Sequence, residues 1–165
     1  MTRRLDRIER QSAEEALQEI LRGAHLDSFH VRERELTLCF VSGDTAGDRP
    51  VYVWLMTGAA ALVCGSDLAR WPAPPEGDDG FRAGRAELLP DLYRLVGQSV
   101  AAVAIAGDGA LSVSFSDRSF VLTPGVGEDE EVWRVTDRTP DTFDAEGWRI
   151  ALADDGSLAL KRPDR

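Results

Sequence analysis

Two segments of this chain share a pattern of glycine and apolar residues, and this internal similarity constrains the fold more than any other feature. The first has Leu-Arg-Gly at 21–23, followed by apolar residues at 26, 29 and 31 and by Leu-Thr-Leu-Cys-Phe at 36–40. The second has Leu-Val-Gly at 95–97, followed by apolar residues at 100, 103 and 105 and by Leu-Ser-Val-Ser-Phe at 111–115. The spacings agree as far as Val31 and Ile105, after which the second segment has one extra residue. A duplicated unit explains this agreement, although two unrelated β-meanders would also look alike.

A helical pattern precedes each segment. In the first, the apolar positions that share one helical stripe are Leu5, Ile8, Leu17, Ile20 and Leu21. This helix either starts near residue 5 or begins afresh at Ser12, and Gly23 is suited to end it. In the second, helical spacing is kept by Leu88, Leu89, Leu92, Leu95 and Val96. Pro90 suits the first turn of that helix and Gly97 its end, so each half is predicted to run helix, strand, strand, strand.

The strand predictions depend on alternation. Residues 111–116 alternate apolar side chains with serine, which predicts one face on a core and one in water. Residues 51–56 are apolar on both faces, which predicts cover on both, supplied either by the chain's own helices or by another chain. Near the end, 148–152 and 157–160 flank an Asp-Gly pair at 155–156, the typical sequence of a β-hairpin.

Together these patterns predict an α+β fold with antiparallel sheets, in which two related helix-plus-meander units pack on a common core. The first unit is predicted at 1–65, a Pro- and Gly-rich connector at 66–80, and the second unit, with its C-terminal hairpin, at 81–165. With 165 residues, of which 43% are hydrophobic, the chain is expected to form one compact domain.

The charge balance narrows the choice of partner. Asp and Glu number 29 against 19 Lys and Arg, which gives a net charge of −10 and argues against binding to nucleic acid or an anionic membrane. A protein partner with a basic surface is expected instead, and homo-oligomerisation is left open. No apolar run approaches the roughly 18–20 residues of a membrane span, and no secretory signal is recognisable. A cytoplasmic location is therefore expected, with Cys39 and Cys64 as buried free thiols.

No motif in the sequence predicts catalysis, a cofactor or a metal ion. His25 and His30 are five residues apart, so a regular strand would place them on opposite faces. No Gly-x-Ser-x-Gly elbow is present, and the glycine turns at 43–47 and 107–109 lack the lysine of a phosphate-binding loop. Adjacent acids at 78–79 and 154–155 are typical of solvated turns. A non-enzymatic protein is therefore expected.

One acidic run is the candidate partner-binding site. It consists of Glu128, Asp129, Glu130 and Glu131 and lies next to Trp133. In such a patch the ring supplies contact area and the acids steer a basic partner. Two alternatives stay open, because the run also suits a solvated loop and the apolar alternation around Trp133 suits a core residue.

The second half also resembles a family of uncharacterised small β-rich proteins common in actinobacteria. The resemblance covers about residues 95–162 and depends on Leu95-x-Gly97-x-x-Val100 and on the runs 111–117, 131–135, 148–150 and 156–160. It implies an immunity or accessory role, with no catalytic residue to carry over. The leading hypothesis is a protein-interaction module, specifically an immunity-type inhibitor of a basic bacterial partner. The alternatives are a structural or assembly component of a bacterial multiprotein system and a small-ligand-binding or hydrolytic protein.

Overall fold

The computed structural model describes residues 5–32, 35–42, 50–55, 59–64, 67–71, 85–124, 131–137 and 147–163. The helices are α1 (Arg7–Leu21) and α2 (Leu89–Leu95). The strands of the first half are β1 (His25–Val31), β2 (Leu36–Val41), β3 (Val51–Leu55), β4 (Ala59–Cys64) and β5 (Asp67–Trp71). Those of the second half are β6 (Ala102–Ile105), β7 (Leu111–Ser114), β8 (Ser119–Thr123), β9 (Glu131–Thr136), β10 (Arg149–Ala153) and β11 (Leu158–Lys161).

The strands form two antiparallel sheets. A six-stranded sheet has the order β1-β2-β3-β9-β10-β11, and a five-stranded sheet has the order β5-β4-β8-β7-β6. Every pairing between neighbouring strands is antiparallel. The predicted α+β class with antiparallel sheets is therefore confirmed, as is the C-terminal hairpin, which is formed by β10 and β11.

Each sheet combines strands from both halves of the sequence. The meander β1-β2-β3 is extended by β9, and the meander β6-β7-β8 is extended by β4. Strand β5 lies inside the connector predicted at 66–80 and pairs with β4, whereas residues 72–80 are outside the described ranges. The predicted units 1–65 and 81–165 thus each contribute strands to both sheets.

The segments that follow the two helices pair with each other. The Gly23 amide donates to the Val100 carbonyl at 2.9 Å, and the Gly97 amide donates to the Leu26 carbonyl at 2.7 Å. Both glycines have positive φ, 80° and 86°, as their predicted role in ending the helices requires. Because each bond of one segment has its counterpart in the other, the pairing is self-complementary. That this self-complementary pairing reflects a duplicated unit stays a prediction.

One hydrophobic core lies between the sheets. Burial alternates along β6, β7 and β8, and their buried side chains belong to one cluster with buried side chains of the six-stranded sheet. The rings of Phe40 in β2 and Phe115, just after β7, stack with centroids 6.4 Å apart. The core therefore joins the six-stranded sheet to the five-stranded sheet.

Helix α1 lies along the edge strand β6. It is one continuous element capped by Asp6, whose side chain accepts from the Ile8 amide at 2.9 Å, so the alternative start at Ser12 is not the one adopted. Glu14 accepts from the Ile105 amide at 2.7 Å, and Gln18 donates to the Val103 carbonyl at 2.7 Å. These bonds occupy edge groups of β6 that would otherwise be open to another chain.

Candidate functional site: the outer face of the six-stranded sheet

Of the four acidic residues in the predicted patch, the structure describes Glu131, because residues 128–130 lie outside the described ranges. Glu131 is already paired within the protein. Its Oε2 lies 3.4 Å from Nη1 of Arg134, and its Oε1 accepts a hydrogen bond from Nη2 of Arg149. Two arginines of the same sheet neutralise its charge. Glu131 therefore contributes little to the long-range attraction of a basic partner.

Trp133, the aromatic residue of the predicted patch, lies in the core. Its side chain is fully buried, and its indole Nε1 donates to the Gly109 carbonyl at 2.9 Å. This confirms the interpretation of Trp133 as a core residue. A partner-binding role would need an accessible ring, and the ring has no exposed surface.

The side chains that β2, β3 and β9 turn away from the core form a polar and aromatic layer, which we call the outer face, and Cys39 and Trp54 within it are buried. Register places two rows of side chains across it. One row runs through His30, Thr37, Trp54, Arg134, Ala151 and Ala159. The other runs through Ser28, Cys39, Tyr52, Thr136, Arg149 and Lys161. The outer face therefore has two adjacent aromatic rings at its centre and cations toward β10 and β11.

Trp54 and Arg134 form the centre of the outer face. The guanidinium carbon of Arg134 lies 4.4 Å from the centroid of the Trp54 ring, within the range of a cation–π interaction. Trp54 is 7% exposed. Among the residues that the structure describes, neither its Nε1 nor the Nε of Arg134 finds an acceptor, although both atoms are buried. Two adjacent donors are thus shielded from water and without a hydrogen bond, a costly arrangement.

A cavity of about 180 Å³ opens beside Trp54. It is lined by His30, Arg32, Glu35, Thr37, Tyr52 and Trp54. The β1–β2 hairpin brings the two charged residues together, because the Arg32 amide donates to the Glu35 carbonyl at 2.9 Å. The sequence placed Trp54 only within a strand predicted to be covered on both faces. The signal that could have revealed the site is the placement of Tyr52 and Trp54 two residues apart, on the same side of a strand.

Cys39 and Tyr52 are neighbours across β2 and β3 on the outer face. Burial raises the pKa of the Cys39 thiol, an effect that outweighs its hydrogen bond with Ser28. Burial also raises the pKa of Tyr52, and the adjacent Cys39 adds to that shift. A thiol held protonated is a poor nucleophile. Cys39 is a buried free thiol as predicted, whereas the side chain of Cys64 lies outside the described part of the structure.

The two histidines share a face, contrary to the expectation from their spacing. His25 pairs with Val41 and His30 with Thr37, and these partners lie on the same side of β2. The register shifts between Leu26 and Ser28, so an extra residue in β1 reverses the alternation. In the described ranges, no cluster of three or more His, Cys, Asp or Glu side chains has the grouping of a metal site.

The fold and the outer face together define an α+β protein whose larger antiparallel sheet carries a largely buried polar and aromatic face beside a small cavity. No helix within the described ranges has the length and hydrophobicity to cross a membrane. No protein-family model matches the chain, and no curated protein matches it either. The resemblance to actinobacterial immunity-type proteins stays a prediction.

Proposed function

We propose that this protein is a non-enzymatic protein-interaction module that acts in the cytoplasm as an immunity-type inhibitor of a basic bacterial partner. The observation that carries the proposal is the exposed acidic surface of α1 in a chain of net charge −10. Its exposed carboxylates, Asp6, Glu9, Glu15 and Glu19, outnumber its exposed cations, Arg7 and Arg22. Such a surface attracts a basic partner and raises its association rate.

The fold extends this acidic surface beyond the helix. The Leu5 amide donates to the Gly107 carbonyl at 3.3 Å, which brings the start of α1 beside the β6–β7 turn. Asp108 in that turn is exposed. Glu14, by contrast, is bound to the β6 backbone, so it belongs to the scaffold and not to the contact surface.

The ionisable groups of the outer face fit a binding role better than a catalytic one. Nucleophilic catalysis by cysteine needs a lowered thiol pKa, whereas burial raises that of Cys39. Glu131 is held in ion pairs with two arginines of the same sheet, so its carboxylate is already engaged within the protein.

The test begins with capture of the partner from the native host and measurement of its association rate at several salt concentrations. The variant Glu15→Gln/Glu19→Gln is expected to slow association several-fold at low salt. This difference should shrink as salt rises, because the Debye length falls below roughly 8 Å above physiological ionic strength.

The matched control is Glu87→Gln/Asp117→Asn, which removes the same charge from exposed positions outside α1. If the acidic surface of α1 is the docking surface, the control slows association less than the α1 variant. Equal association rates for wild type and the α1 variant at low salt would contradict the proposal.

A further inference from the structure

Strand β1 lies at one edge of the six-stranded sheet, and its second half has backbone groups that point away from β2. The Arg32 amide donates to the Glu35 carbonyl at 2.9 Å, which makes these two residues a bonded pair of the β1–β2 ladder. Bonded and non-bonded pairs alternate along an antiparallel ladder, so the register puts Phe29 and Val31 in non-bonded pairs. The N–H and C=O groups of Phe29 and Val31 therefore point outward, toward the sheet edge.

These outward groups have no hydrogen-bond partner within the part of the chain that the structure describes. Earlier in β1, Leu26 uses its outward groups to pair with Gly97 and Gln98. That pairing ends before Phe29, and no described residue bonds to Phe29 or Val31 on the edge side. The segment from Phe29 to Val31, which we call the open edge, is thus available for pairing with a further strand.

The corresponding edge in the second half of the sequence is closed. Counted from the glycine that follows each helix, Val103 and Ile105 of β6 correspond to Phe29 and Val31. The Val103 carbonyl and the Ile105 amide are both bonded to side chains of α1. The same backbone positions are therefore occupied in β6 and unoccupied in β1.

Helix α2 is not able to close β1 in the way that α1 closes β6. The positions of α1 that bond to β6 are Glu14 and Gln18, and their counterparts before Gly97 are Leu88 and Leu92. Both leucines are apolar and fully buried, so they offer no hydrogen bond to a strand edge. Helix α2 also lacks the extensive contact with β1 that α1 makes with β6.

The open edge is complementary to a second copy of itself. When two β1 strands lie antiparallel about a two-fold axis at His30, Phe29 of each copy lies opposite Val31 of the other, and all their outward groups are bonded. Val31 is 47% exposed, although it lies on the core side of the sheet opposite the buried Leu36. In the paired strands Val31 would be covered by Phe29 of the second copy, which already packs against the core of its own chain.

The charges beside the open edge also suit a second copy. In the same register Arg32 of one copy lies opposite Ser28 of the other and next to Asp27, and both charged side chains are exposed. The two-fold axis repeats this arrangement, so each copy supplies one cation and one anion. Helix α1, which carries the acidic surface, contacts β6 and β11, and β11 is at the opposite edge of the sheet from β1.

We propose that this protein forms a homodimer in which the two β1 strands pair antiparallel about His30 and join the two six-stranded sheets into one. The pairing surface is on β1 and the proposed inhibitory surface is on α1, so either proposal can fail without the other. Pairing through residues 28–32 buries less than the roughly 1,200–2,000 Å² of stable complexes. A weak dimer is therefore expected, with a Kd of about 10–100 μM.

The test is sedimentation equilibrium of the full chain from about 5 μM to about 1 mM, a range that brackets the expected Kd. Amide hydrogen exchange at the two ends of this range locates the contact. The Phe29 and Val31 amides are expected to exchange several-fold more slowly in the concentrated sample. The Ile105 amide, which is bonded to Glu14, should exchange equally at both concentrations.

Charge exchange at His30 tests the position of the two-fold axis. His30→Lys and His30→Glu are each expected to weaken the homodimer about fivefold, because like charges then lie directly opposite each other. An equimolar mixture of the two variants should associate at least as tightly as the wild type. The control is Ala104→Lys, since Ala104 is the exposed counterpart of His30 in β6, and it should leave the Kd of the dimer unchanged.

The proposal is overturned if the protein stays monomeric up to about 1 mM, because the expected Kd would leave mostly dimer at that concentration. It is equally overturned by a dimer in which the Phe29 and Val31 amides exchange at the same rate at both concentrations, since another surface would then form the contact. A mixture of the His30 variants that associates no more tightly than either variant alone would exclude the axis at His30. Because His30 is exposed, these substitutions are expected to keep the fold.

Discussion

At Gly109, both the backbone and its neighbours leave no room for a side chain. Its φ is +90°, and a Cβ atom there would lie 2.7 Å from Cδ2 of Leu152. Its carbonyl accepts the indole bond from Trp133, so the β6–β7 turn contacts β9 and β10 of the other sheet. Gly97 has a similar φ of +86°, but a Cβ atom there would meet nothing within 4 Å. Substitutions at the two glycines can therefore distinguish the stability cost of the backbone conformation from the stability cost of the packing clash.

Gly109→Ala is expected to lower the free energy of unfolding more than Gly97→Ala does. Gly97→Ala should cost about 1–2 kcal/mol, the penalty of a left-handed conformation. Gly109→Ala should cost about 1–3 kcal/mol beyond that, because Leu152 must move. Urea denaturation of both variants measures the difference, and equal losses would show that Leu152 yields freely.

The buried thiol of Cys39 predicts a dependence of stability on pH. The pKa of the Cys39 thiol is raised in the folded protein. As the pH rises, this thiol therefore loses its proton in the unfolded chain, near pH 8.5, before it does so in the folded protein. The contribution of the protonated thiol to stability is therefore fully present below that pH. Above that pH the free energy of unfolding falls, by at most about 1.4 kcal/mol per pH unit.

The measurement is urea denaturation between about pH 7 and pH 9.5, below the ordinary tyrosine pKa of about 10. Cys39→Ala is expected to lose part of the pH dependence, although it lowers stability at every pH. If the wild type and Cys39→Ala have the same slope against pH, the thiol does not titrate differently in the two states.

At the scale of elements, α1 stabilises the five-stranded sheet through side chains that bond to its edge. Glu14 and Gln18 replace the neighbouring strand that β6 lacks on that side. Their bonds depend on the helical spacing of four residues, which puts both side chains on the same face of α1. The helix thus both packs on the core and closes the sheet edge.

Glu14→Ala is expected to cost about 1–3 kcal/mol, because the Ile105 amide loses its charged acceptor. Hydrogen exchange at the Ile105 amide should accelerate more than exchange at other β6 amides. Glu19→Ala is the control, since Glu19 is exposed on the same helix, and it should change stability by less than about 0.5 kcal/mol. Unchanged exchange at Ile105 in Glu14→Ala would refute the edge-closing role.

At the scale of the whole molecule, the two halves are interlocked. Strands β4 and β5 complete the sheet that β6–β8 begin, and β9–β11 complete the sheet that β1–β3 begin. The pairs β3–β9 and β4–β8 form only when both halves are present. Neither half has a complete sheet or a complete core of its own.

Fragments 1–80 and 81–165 are therefore each expected to fail to unfold cooperatively when produced alone. Mixed together, they should recover cooperative unfolding, because the exchanged strands then find their partners. Circular dichroism during thermal unfolding measures this. A fragment that unfolds cooperatively by itself would show that one predicted unit is an autonomous domain.

The predicted duplication has its own test. Superposition of 16–57 on 90–123 should align the helix end and the three strands that follow. The order of β1-β2-β3 and of β6-β7-β8 is compatible with it, as is the reciprocal pairing after Gly23 and Gly97. Failure to superpose would favour two unrelated meanders.

The sequence by itself determined the local elements. Apolar spacing located both helices, alternation located β7, and Asp-Gly located the β10–β11 hairpin, because each of these signals depends on residues close together in the chain. The glycines that end the helices were equally readable, since a positive φ is a local requirement. Among the candidate site residues, the apolar alternation around Trp133 was compatible with burial but left a partner-binding role open, and the structure decided between them.

Only the tertiary structure decided which strands pair and which side chains meet. Alternation predicts that Tyr52 and Trp54 share a face, but not that β9 brings Arg134 over the Trp54 ring or that β10 brings Arg149 to Glu131. A regular alternation of two residues likewise does not predict the extra residue in β1, which puts His25 and His30 on one face. Long-range strand pairing and register depend on the fit of the whole core, and no local pattern specifies that fit.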